Sequence, residues 1–369
     1  MSDIKTYIAS EIFTGVDLLR NHAIVVKGGI IDQVLPATTI DKGAAAIRYD
    51  EGITIAPAFM DIQIYGASGR LLSAYPDATT VAAIYEYSRN GGAAYCMPTV
   101  ATNSYEIFYN CIDAIRSYWS NGGKGVLGLH VEGPWINMDK RGAHLPEYIF
   151  SPTLDQVKQL LNYGKGVIKC ITLAPEVCPP EIIDYMASED IIVSAGHSNA
   201  SYWQATESFS TNNVPVVTHL FNAMSQLQQR EPGLVGATLD HHLVMASVIP
   251  DGYHVDFANI RLAKKLMHKR LFAITDAVTE TTEGPYQHKL EKDKYTANGI
   301  LSGSALTMNK AAYNLVHHVG IEKEEALRMC SLHPARLMRM NNTVGMIKPG
   351  FIAKMVVLEK EMNVTEVID

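Results

Sequence analysis

Short apolar stretches alternate with longer amphipathic stretches through the middle of this 369-residue chain. The segments between the apolar stretches show helical spacing, as in Leu154, Val157, Leu160 and Leu161 after a Ser-Pro-Thr start. The apolar stretches have the length and residue types of buried strands, and they lie at residues 59–64, 93–98, 126–131, 167–173, 191–194, 214–218, 244–249 and 271–275. Eight strands separated by helices predict an α/β fold of the (β/α)8 type, a TIM barrel. A doubly wound open sheet is the alternative, but no GxGxxG motif follows the first strand.

The two ends of the chain show a different pattern. The first 54 residues contain short candidate strands and a Gly28-Gly29 turn, in which both residues tolerate the positive φ angles of a tight hairpin. Another apolar run, residues 355–358, follows a Pro-Gly turn near the end of the sequence. We therefore expect a small β-sandwich domain formed by both chain termini, residues 1–54 and 347–369, and a barrel domain of residues 55–346. The polar segment 279–298 predicts an inserted hairpin or lid.

Composition narrows the class of protein. The chain is 47% hydrophobic and 19% charged, with a net charge of −7, so no nucleic-acid or membrane partner is expected and any anion site must be local. The five cysteines are odd in number and lack CxxC spacing, which argues against a disulfide framework or a thiolate metal cluster. The first residues lack the pattern of a signal peptide, and no apolar run approaches the roughly 20 residues of a membrane span. We expect a cytoplasmic protein.

Side chains capable of metal binding or proton transfer follow most of the candidate barrel strands. In a parallel barrel the carboxyl ends of the strands meet at one face, where catalysis takes place. Glu132, His197 and His219 follow three of these strands, and two imidazoles with one carboxylate suit Zn²⁺ or Fe²⁺ with an open position for water. Each histidine alone could be an ordinary buried residue, but the set of three favours a metal site.

An isolated carboxylate, Asp276, ends the last apolar strand between Thr275 and Ala277. We interpret it as a proton shuttle that takes a proton from the attacking water and returns it to a leaving amine. The alternative is that it caps the helix that follows. Glu176, after an Ala-Pro pair, is equally consistent with catalysis and with bracing a loop.

Three other residues are candidates for substrate contacts. Arg230 and His254 could hold an anionic group, because a guanidinium matches the geometry of phosphate. His144 lies on a long loop after Glu132. A loop arginine or histidine is more often a surface residue, so from the residues alone both interpretations stay open.

Taken together, the motifs resemble a known family, the N-acetylglucosamine-6-phosphate deacetylases of the amidohydrolase superfamily. The resemblance extends from about residue 57 to residue 350. The motifs that carry it occur in the expected order, at residues 130–134, 142–144, 173–176, 195–199, 218–224, 230–233, 251–256, 275–277 and 301–304. It implies a metal-dependent barrel with a small β domain, usually a homodimer, that hydrolyses N-acetyl-D-glucosamine 6-phosphate to D-glucosamine 6-phosphate and acetate.

The resemblance also assigns roles to individual residues. It makes Asp276 the catalytic acid and base and places His144 near the sugar. The metal ligands would be Glu132, His197 and His219. The phosphate and sugar contacts, some of which come from the partner subunit, would be Asn222, Ala223, Arg230 and His254.

One position departs from the superfamily pattern. Many amidohydrolases carry His-x-His at the end of the first strand and bind a second metal there, whereas this chain has Gln63-Ile64-Tyr65. An amide or a neutral phenol is a poor ligand for Zn²⁺. Some deacetylases of the family have Gln-x-Asn at this place and use one metal. We therefore expect a single divalent ion, Zn²⁺ or else Fe²⁺, with Gln63 as a possible contact to the metal's water and Tyr65 as an altered pocket wall.

Two other functions compete with this interpretation. Another amidohydrolase, such as an N-acyl-amino-acid deacylase or a cyclic amidase, would share the metal site but would act on substrates without phosphate. A non-catalytic sugar-phosphate-binding barrel is the alternative from a different class, because the His-x-His pair is missing. Stoichiometric metal would argue against the binding protein.

Overall fold

The computed structural model describes residues 4–41, 45–211 and 213–369. In these residues the strands are β1 (Ile4–Phe13), β2 (Leu18–Lys27), β3 (Ile30–Pro36), β4 (Ile47–Arg48), β5 (Thr54–Pro57), β6 (Phe59–Ile64), β7 (Gly66–Ala67), β8 (Arg70–Leu71), β9 (Ala93–Ala101), β10 (Leu129–Glu132), β11 (Ile168–Leu173), β12 (Ile192–Ala195), β13 (Val216–Val217), β14 (Met245–Val248), β15 (Leu271–Ala273), β16 (Lys289–Glu291), β17 (Lys294–Ala297), β18 (Ile300–Ser304), β19 (Met355–Leu358) and β20 (Val364–Ile368). The α-helices are α1 (Ala78–Asn90), α2 (Tyr105–Ser120), α3 (Leu154–Tyr163), α4 (Pro180–Ser188), α5 (Tyr202–Thr211), α6 (Gly233–Asp240), α7 (Phe257–Met267), α8 (Met308–Asn314), α9 (Lys323–Cys330) and α10 (Leu332–Leu337). None of the helices in this part of the chain is long and apolar enough to cross a membrane.

Eight strands form the barrel: β6 and then β9 to β15, each paired with the next in chain order. Helices α1 to α7 occupy the connections between them. Two hydrogen bonds close the sheet, from the backbone N–H of Asp276 to the carbonyl of Gln63 (2.9 Å) and from that of Tyr65 to the carbonyl of Ala277 (2.8 Å). The predicted (β/α)8 barrel is confirmed.

Local sequence signals explain where individual barrel helices begin. Thr153 caps α3 in a capping box with Gln156, as the Ser-Pro-Thr start indicated. The Asp256 side chain accepts from the backbone N–H of Ala258 and caps α7. These caps fix the connections that lead away from the strand ends.

The strands at the two chain termini form a separate sheet, as predicted, in the order β20-β19-β5-β1-β2-β3, with β4 paired to β1. The β2–β3 turn places Gly28 and Gly29 at φ angles of 59° and 78°, which glycine adopts without steric cost. One compact unit of the chain comprises the described residues as far as Asp61 together with Ser88–Tyr95 and Thr307–Asp369, and the other comprises Ile62–Tyr87 and Cys96–Leu306. The domain limits at 54/55 and 346/347 stay a proposal from the sequence.

After the last barrel strand, the chain builds a three-stranded antiparallel sheet in the order β16-β17-β18. The hairpin predicted for residues 279–298 is therefore the first part of a slightly larger element. Ser304, at the end of β18, donates its backbone N–H to the carbonyl of Asp276 (3.0 Å). This contact brings β18 to the carboxyl end of the barrel.

Candidate active site

Four candidate residues lie at the carboxyl ends of the barrel strands, and all four are buried. Glu132 ends β10, whereas His197, His219 and Asp276 come just after β12, β13 and β15. These last three have positive φ angles of 48°, 35° and 54°. Such angles cost a non-glycine residue about 1–3 kcal/mol and are concentrated at functional sites. The backbone is therefore held in an unfavourable conformation at three of the four positions.

The turn after Glu132 requires glycine. Gly133 has φ +81°, and a Cβ atom at this position would lie 2.1 Å from Oγ1 of Thr102. The Thr102 hydroxyl donates to the carbonyl of Glu132 (3.1 Å). Glycine thus allows the chain to turn sharply while Glu132 stays tied to the neighbouring strand.

Glu132, His197 and His219 bring three ligand atoms together. Oε1 of Glu132 lies 3.1 Å from Nε2 of His219 and 3.5 Å from Nε2 of His197, and the two nitrogen atoms are 3.2 Å apart. Tetrahedral Zn²⁺ with bonds of about 2.0–2.1 Å separates its ligand atoms by about 3.3 Å. These residues therefore fit a divalent metal ion. Nδ1 of His197 lies 2.9 Å from the carbonyl of Lys140, a contact of the kind that orients ligand histidines.

The protonation of this cluster favours cation binding. Burial raises the pKa of Glu132, but hydrogen bonds with His144, His197 and His219 outweigh burial and hold that pKa well below its ordinary value. The pKa of His219 is lowered, chiefly by burial. The cluster thus contains an ionised carboxylate facing a neutral imidazole, which are the forms that bind a metal.

Gln63 and Tyr65 contact the same carboxylate. Nε2 of Gln63 lies 3.0 Å from Oε1 of Glu132 and 2.8 Å from Oδ1 of Asp276, and the Tyr65 hydroxyl donates to Oε2 of Glu132. Burial, followed by the negative charges of Glu132 and Asp276, raises the pKa of Tyr65 well above its ordinary value. The phenol is therefore protonated and acts as a hydrogen-bond donor.

His144 also reaches this carboxylate, with Nε2 3.3 Å from Oε2 of Glu132. Its Nδ1 lies 2.7 Å from the hydroxyl of Thr102 and 3.3 Å from the backbone N–H of Thr102. Because that N–H donates to Nδ1, the ring hydrogen is placed on Nε2. Burial, and then the neighbouring His197, lowers the pKa of His144 to about 4. At neutral pH, His144 is an uncharged N–H donor.

A cavity of about 370 Å³ opens over these residues. The sequence-predicted residues that line it are Tyr65, Glu132, His144, His197, His219, Asn222, Ala223, His254 and Asp276. His254 is held by Asp251, whose Oδ2 lies 2.6 Å from Nδ1 of the ring. Arg230 is exposed and is not among the described residues that line the cavity. The structure therefore brings together the predicted site residues except for Arg230.

The sequence analysis assigned no role to three residues of the cavity wall, Tyr286, His288 and Ser302. The Tyr286 hydroxyl donates to the carbonyl of Thr102 (2.6 Å), and Nδ1 of His288 lies 2.8 Å from Oγ of Ser302. Burial lowers the pKa of His288 to about 4. Ser302 lies in the 301–304 motif, but nothing in the sequence pattern separates Tyr286 or His288 from an ordinary loop residue.

Glu176 joins two loops next to the metal-binding cluster. Its carboxylate accepts from the backbone N–H of Asn199 (2.6 Å), the side-chain amide of Asn137 (3.0 Å) and the hydroxyl of Ser198 (2.7 Å). The backbone N–H of Asn137 in turn donates to the carbonyl of His197 (2.8 Å). Glu176 thus braces the loops that follow β10 and β12, on both sides of His197.

Comparison with known proteins agrees with this geometry. Residues 54–368 match the model of the amidohydrolase family, and residues 7–48 match that of the NagA composite domain. The N-acetylglucosamine-6-phosphate deacetylase of Haemophilus influenzae is 32% identical, with 96% of this chain and 94% of the relative covered. The N-acetylgalactosamine-6-phosphate deacetylase of Escherichia coli O157:H7 is 28% identical, covering 97% and 96%.

A solved structure extends the similarity to the whole fold. The crystal structure of N-acetylglucosamine-6-phosphate deacetylase from Pasteurella multocida superimposes with a TM-score of 0.94 at 31% identity, covering 99% of this chain and 98% of that chain. The family model alone spans most of the sequence. This chain therefore belongs to the amidohydrolase family.

Proposed function

We propose that this protein hydrolyses the acetamide of N-acetyl-D-glucosamine 6-phosphate, giving D-glucosamine 6-phosphate and acetate, in the breakdown of amino sugars. The observation that carries the proposal is the buried cluster of Glu132, His197 and His219 beside Asp276, at a cavity that His254 also lines. The similarity to named deacetylases of phosphorylated amino sugars supports the choice of substrate.

Glu132, His197 and His219 would hold one divalent cation. We propose Zn²⁺, with Fe²⁺ as the alternative, because one carboxylate and two imidazoles suit either ion and cellular supply decides between them. When bound, such an ion supplies Lewis acidity that polarises a carbonyl and lowers the pKa of water.

Asp276 transfers the proton in this proposal. Its carboxylate accepts the proton of the attacking water and then delivers it to the amide nitrogen, so that the C–N bond breaks with a neutral amine as the leaving group. The hydrogen bond from Gln63 to Oδ1 (2.8 Å) positions the carboxylate next to Glu132. General acid–base catalysis of this kind contributes typically about 10²–10⁴-fold.

His144 stabilises the negative charge that develops on the acetyl oxygen. It is a buried, uncharged donor with its hydrogen on Nε2, and it lies next to the metal-binding carboxylate. In the structure this hydrogen faces Oε2 of Glu132 at 3.3 Å, a longer contact than an ordinary N–H···O hydrogen bond, and substrate binding would redirect it to the acetyl oxygen. The loss of one such donor typically costs about 10²–10³ in kcat.

The sugar and its phosphate would contact Asn222, Ala223 and His254, which line the cavity. Arg230 is exposed, so we propose that it reaches the phosphate held by a second copy of the chain in a homodimer. A cytoplasmic location is part of the same proposal, and the five free cysteines support it.

Product analysis tests the reaction. Metal-loaded protein is incubated with N-acetylglucosamine 6-phosphate and, separately, with N-acetylated amino acids, and both acetate and primary amine are quantified. We expect equal amounts of the two products from the sugar phosphate alone. Hydrolysis of the amino acids only would reject the proposal in favour of a different amidohydrolase. Stoichiometric binding of the sugar phosphate without turnover would reject it in favour of a binding protein.

A further inference from the structure

Tyr65 occupies one side of the metal-binding carboxylate. Its hydroxyl lies 2.8 Å from Nε2 of Gln63 and donates to Oε2 of Glu132. The other oxygen, Oε1, is the one that faces His197 and His219. The two oxygens of Glu132 therefore have different partners. Oε2 faces away from His197 and His219; it accepts from the Tyr65 hydroxyl and lies 3.3 Å from Nε2 of His144, so Tyr65 makes the hydroxyl contact and His144 a longer one.

We propose that Tyr65 is a positioning residue, which fixes the Glu132 carboxylate so that only Oε1 is presented to the metal ion. The inference rests on the divalent metal site of the proposed function and is independent of which sugar the protein hydrolyses. The terminal torsion of a glutamate side chain is broad, so a buried carboxylate needs a second contact to keep one orientation. Outer hydrogen bonds to a ligand carboxylate typically contribute about 10–100-fold to metal affinity or activity.

The ring of Tyr65 is itself held in place. It packs in an apolar cluster with Leu71, Val278 and Tyr286, and only 8% of the residue is exposed. The orientation of the hydroxyl is therefore set before a metal ion binds. Replacing the residue by phenylalanine removes the hydroxyl alone and keeps this packing.

Gln63 completes the arrangement. The nitrogen of its amide lies between two carboxylates, 3.0 Å from Glu132 and 2.8 Å from Asp276. Two acceptors at these distances require the NH₂ end of the amide to face them. The gap between Glu132 and Asp276 is thus bridged by hydrogen-bond donors, which repel a cation. Donors in this gap disfavour a second cation between Glu132 and Asp276 and leave the cluster of Glu132, His197 and His219 as the metal site.

The test measures metal binding directly, with Zn²⁺ as the probe. Full-length wild-type protein, Tyr65→Phe and Tyr286→Phe are stripped of metal and dialysed against buffered Zn²⁺, and the bound ion is quantified by elemental analysis. Tyr286→Phe is the matched control. It also removes a tyrosine hydroxyl from this apolar cluster, but the hydroxyl of Tyr286 donates to Thr102 and not to Glu132. We expect one ion per chain in all three proteins and a dissociation constant about 10–100-fold higher in Tyr65→Phe only.

Two further readouts separate positioning from a general structural role. Thermal unfolding of the metal-free proteins should give similar midpoints for Tyr65→Phe and wild type. Any turnover lost by Tyr65→Phe should return at saturating Zn²⁺ with an unchanged KM. Wild-type affinity in Tyr65→Phe, an equal loss of affinity in Tyr286→Phe, or two ions per wild-type chain would each overturn the inference. Because the binding assay uses no substrate, it can fail or succeed independently of the proposed reaction.

Discussion

Replacing Glu176 by alanine should weaken metal binding, although Glu176 is not one of the three ligands. The carboxylate accepts three hydrogen bonds of 2.6–3.0 Å from Asn137, Ser198 and Asn199. Ser198 and Asn199 directly follow His197, and Asn137 binds the carbonyl of His197 from the other side. Glu176 therefore helps to hold the His197 backbone at its φ of 48°.

The size of the effect follows from these contacts. The left-handed backbone of His197 stores about 1–3 kcal/mol of strain, which its surroundings must offset. Hydrogen bonds to a charged group contribute about 1.5–3 kcal/mol each, and water replaces part of that at a half-buried carboxylate. If about 1.4–2.8 kcal/mol of the energy that holds His197 is lost, the metal dissociation constant rises by about 10–100-fold.

Competition with a chelator of known affinity measures this dissociation constant. Glu176→Gln is the control, since the amide oxygen still accepts from Asn199 and the amide nitrogen still reaches the Ser198 hydroxyl. We expect Glu176→Gln to bind metal nearly as tightly as wild type, and Ser198→Ala, which removes one of the three bonds, to lie between wild type and Glu176→Ala. Unchanged metal affinity in Glu176→Ala would refute the proposed role of Glu176 in positioning His197. An equal loss in Glu176→Gln would show that charge, and not positioning, is what matters.

Three other variants test separate parts of the site. Asp276→Asn should lower kcat by about 10²–10⁴-fold while metal content stays the same, as measured by single-turnover kinetics and elemental analysis, and loss of the metal would make Asp276 structural instead. Arg230→Ala should raise KM for the phosphorylated sugar by about 10–100-fold and leave KM for the unphosphorylated sugar unchanged, since a charge-assisted hydrogen bond contributes about 1.5–3 kcal/mol; equal effects on both sugars would remove its phosphate role. Burial lowers the pKa of His288 in the folded protein to about 4, from 6.5 for an ordinary histidine. Between pH 6.5 and 4 the unfolded chain therefore binds one more proton than the folded protein, and stability is lost as pH falls through this range. Below that range the loss in free energy of unfolding is about 3 kcal/mol. Denaturant unfolding of the metal-free protein should therefore show a weaker pH dependence in His288→Gln than in wild type, and identical pH profiles would contradict the lowered pKa of His288.

The barrel and much of its site could be predicted because the relevant signals are local. Buried parallel strands produce short apolar runs, and the residue after such a run must lie at the catalytic face. The sequence pattern alone therefore places Glu132, His197, His219 and Asp276 at one end of the barrel. The strand boundaries were less accurate: the run 214–218 contains only the two-residue strand β13, because hydrophobicity marks burial and not backbone pairing.

Other features depend on contacts between distant residues and leave no pattern in the sequence. Three such features arise from side-chain packing. They are the hydrogen bond from Tyr65 to Glu132, the contact of His144 with Thr102, and the part of the cavity wall formed by Tyr286 and His288. The positive φ angles of His197 and Asp276 are equally hidden, since only a few per cent of non-glycine residues adopt them, even though Asp and His do so more often than most. For Glu176 the sequence left catalysis and loop bracing open, and the three hydrogen bonds favour bracing.

The most direct test of the proposed function is the rate of acetate release from N-acetylglucosamine 6-phosphate and from unphosphorylated N-acetylglucosamine, each with metal-stripped protein and after addition of Zn²⁺ or Fe²⁺. We expect turnover only with metal and a kcat/KM at least about 10-fold higher for the phosphorylated sugar, the factor that one charge-assisted contact supplies. Turnover that persists in stripped protein would contradict the role given to Glu132, His197 and His219. Equal rates for the two sugars would contradict the phosphate contacts, and no acetate from either sugar with any metal would contradict the deacetylase itself.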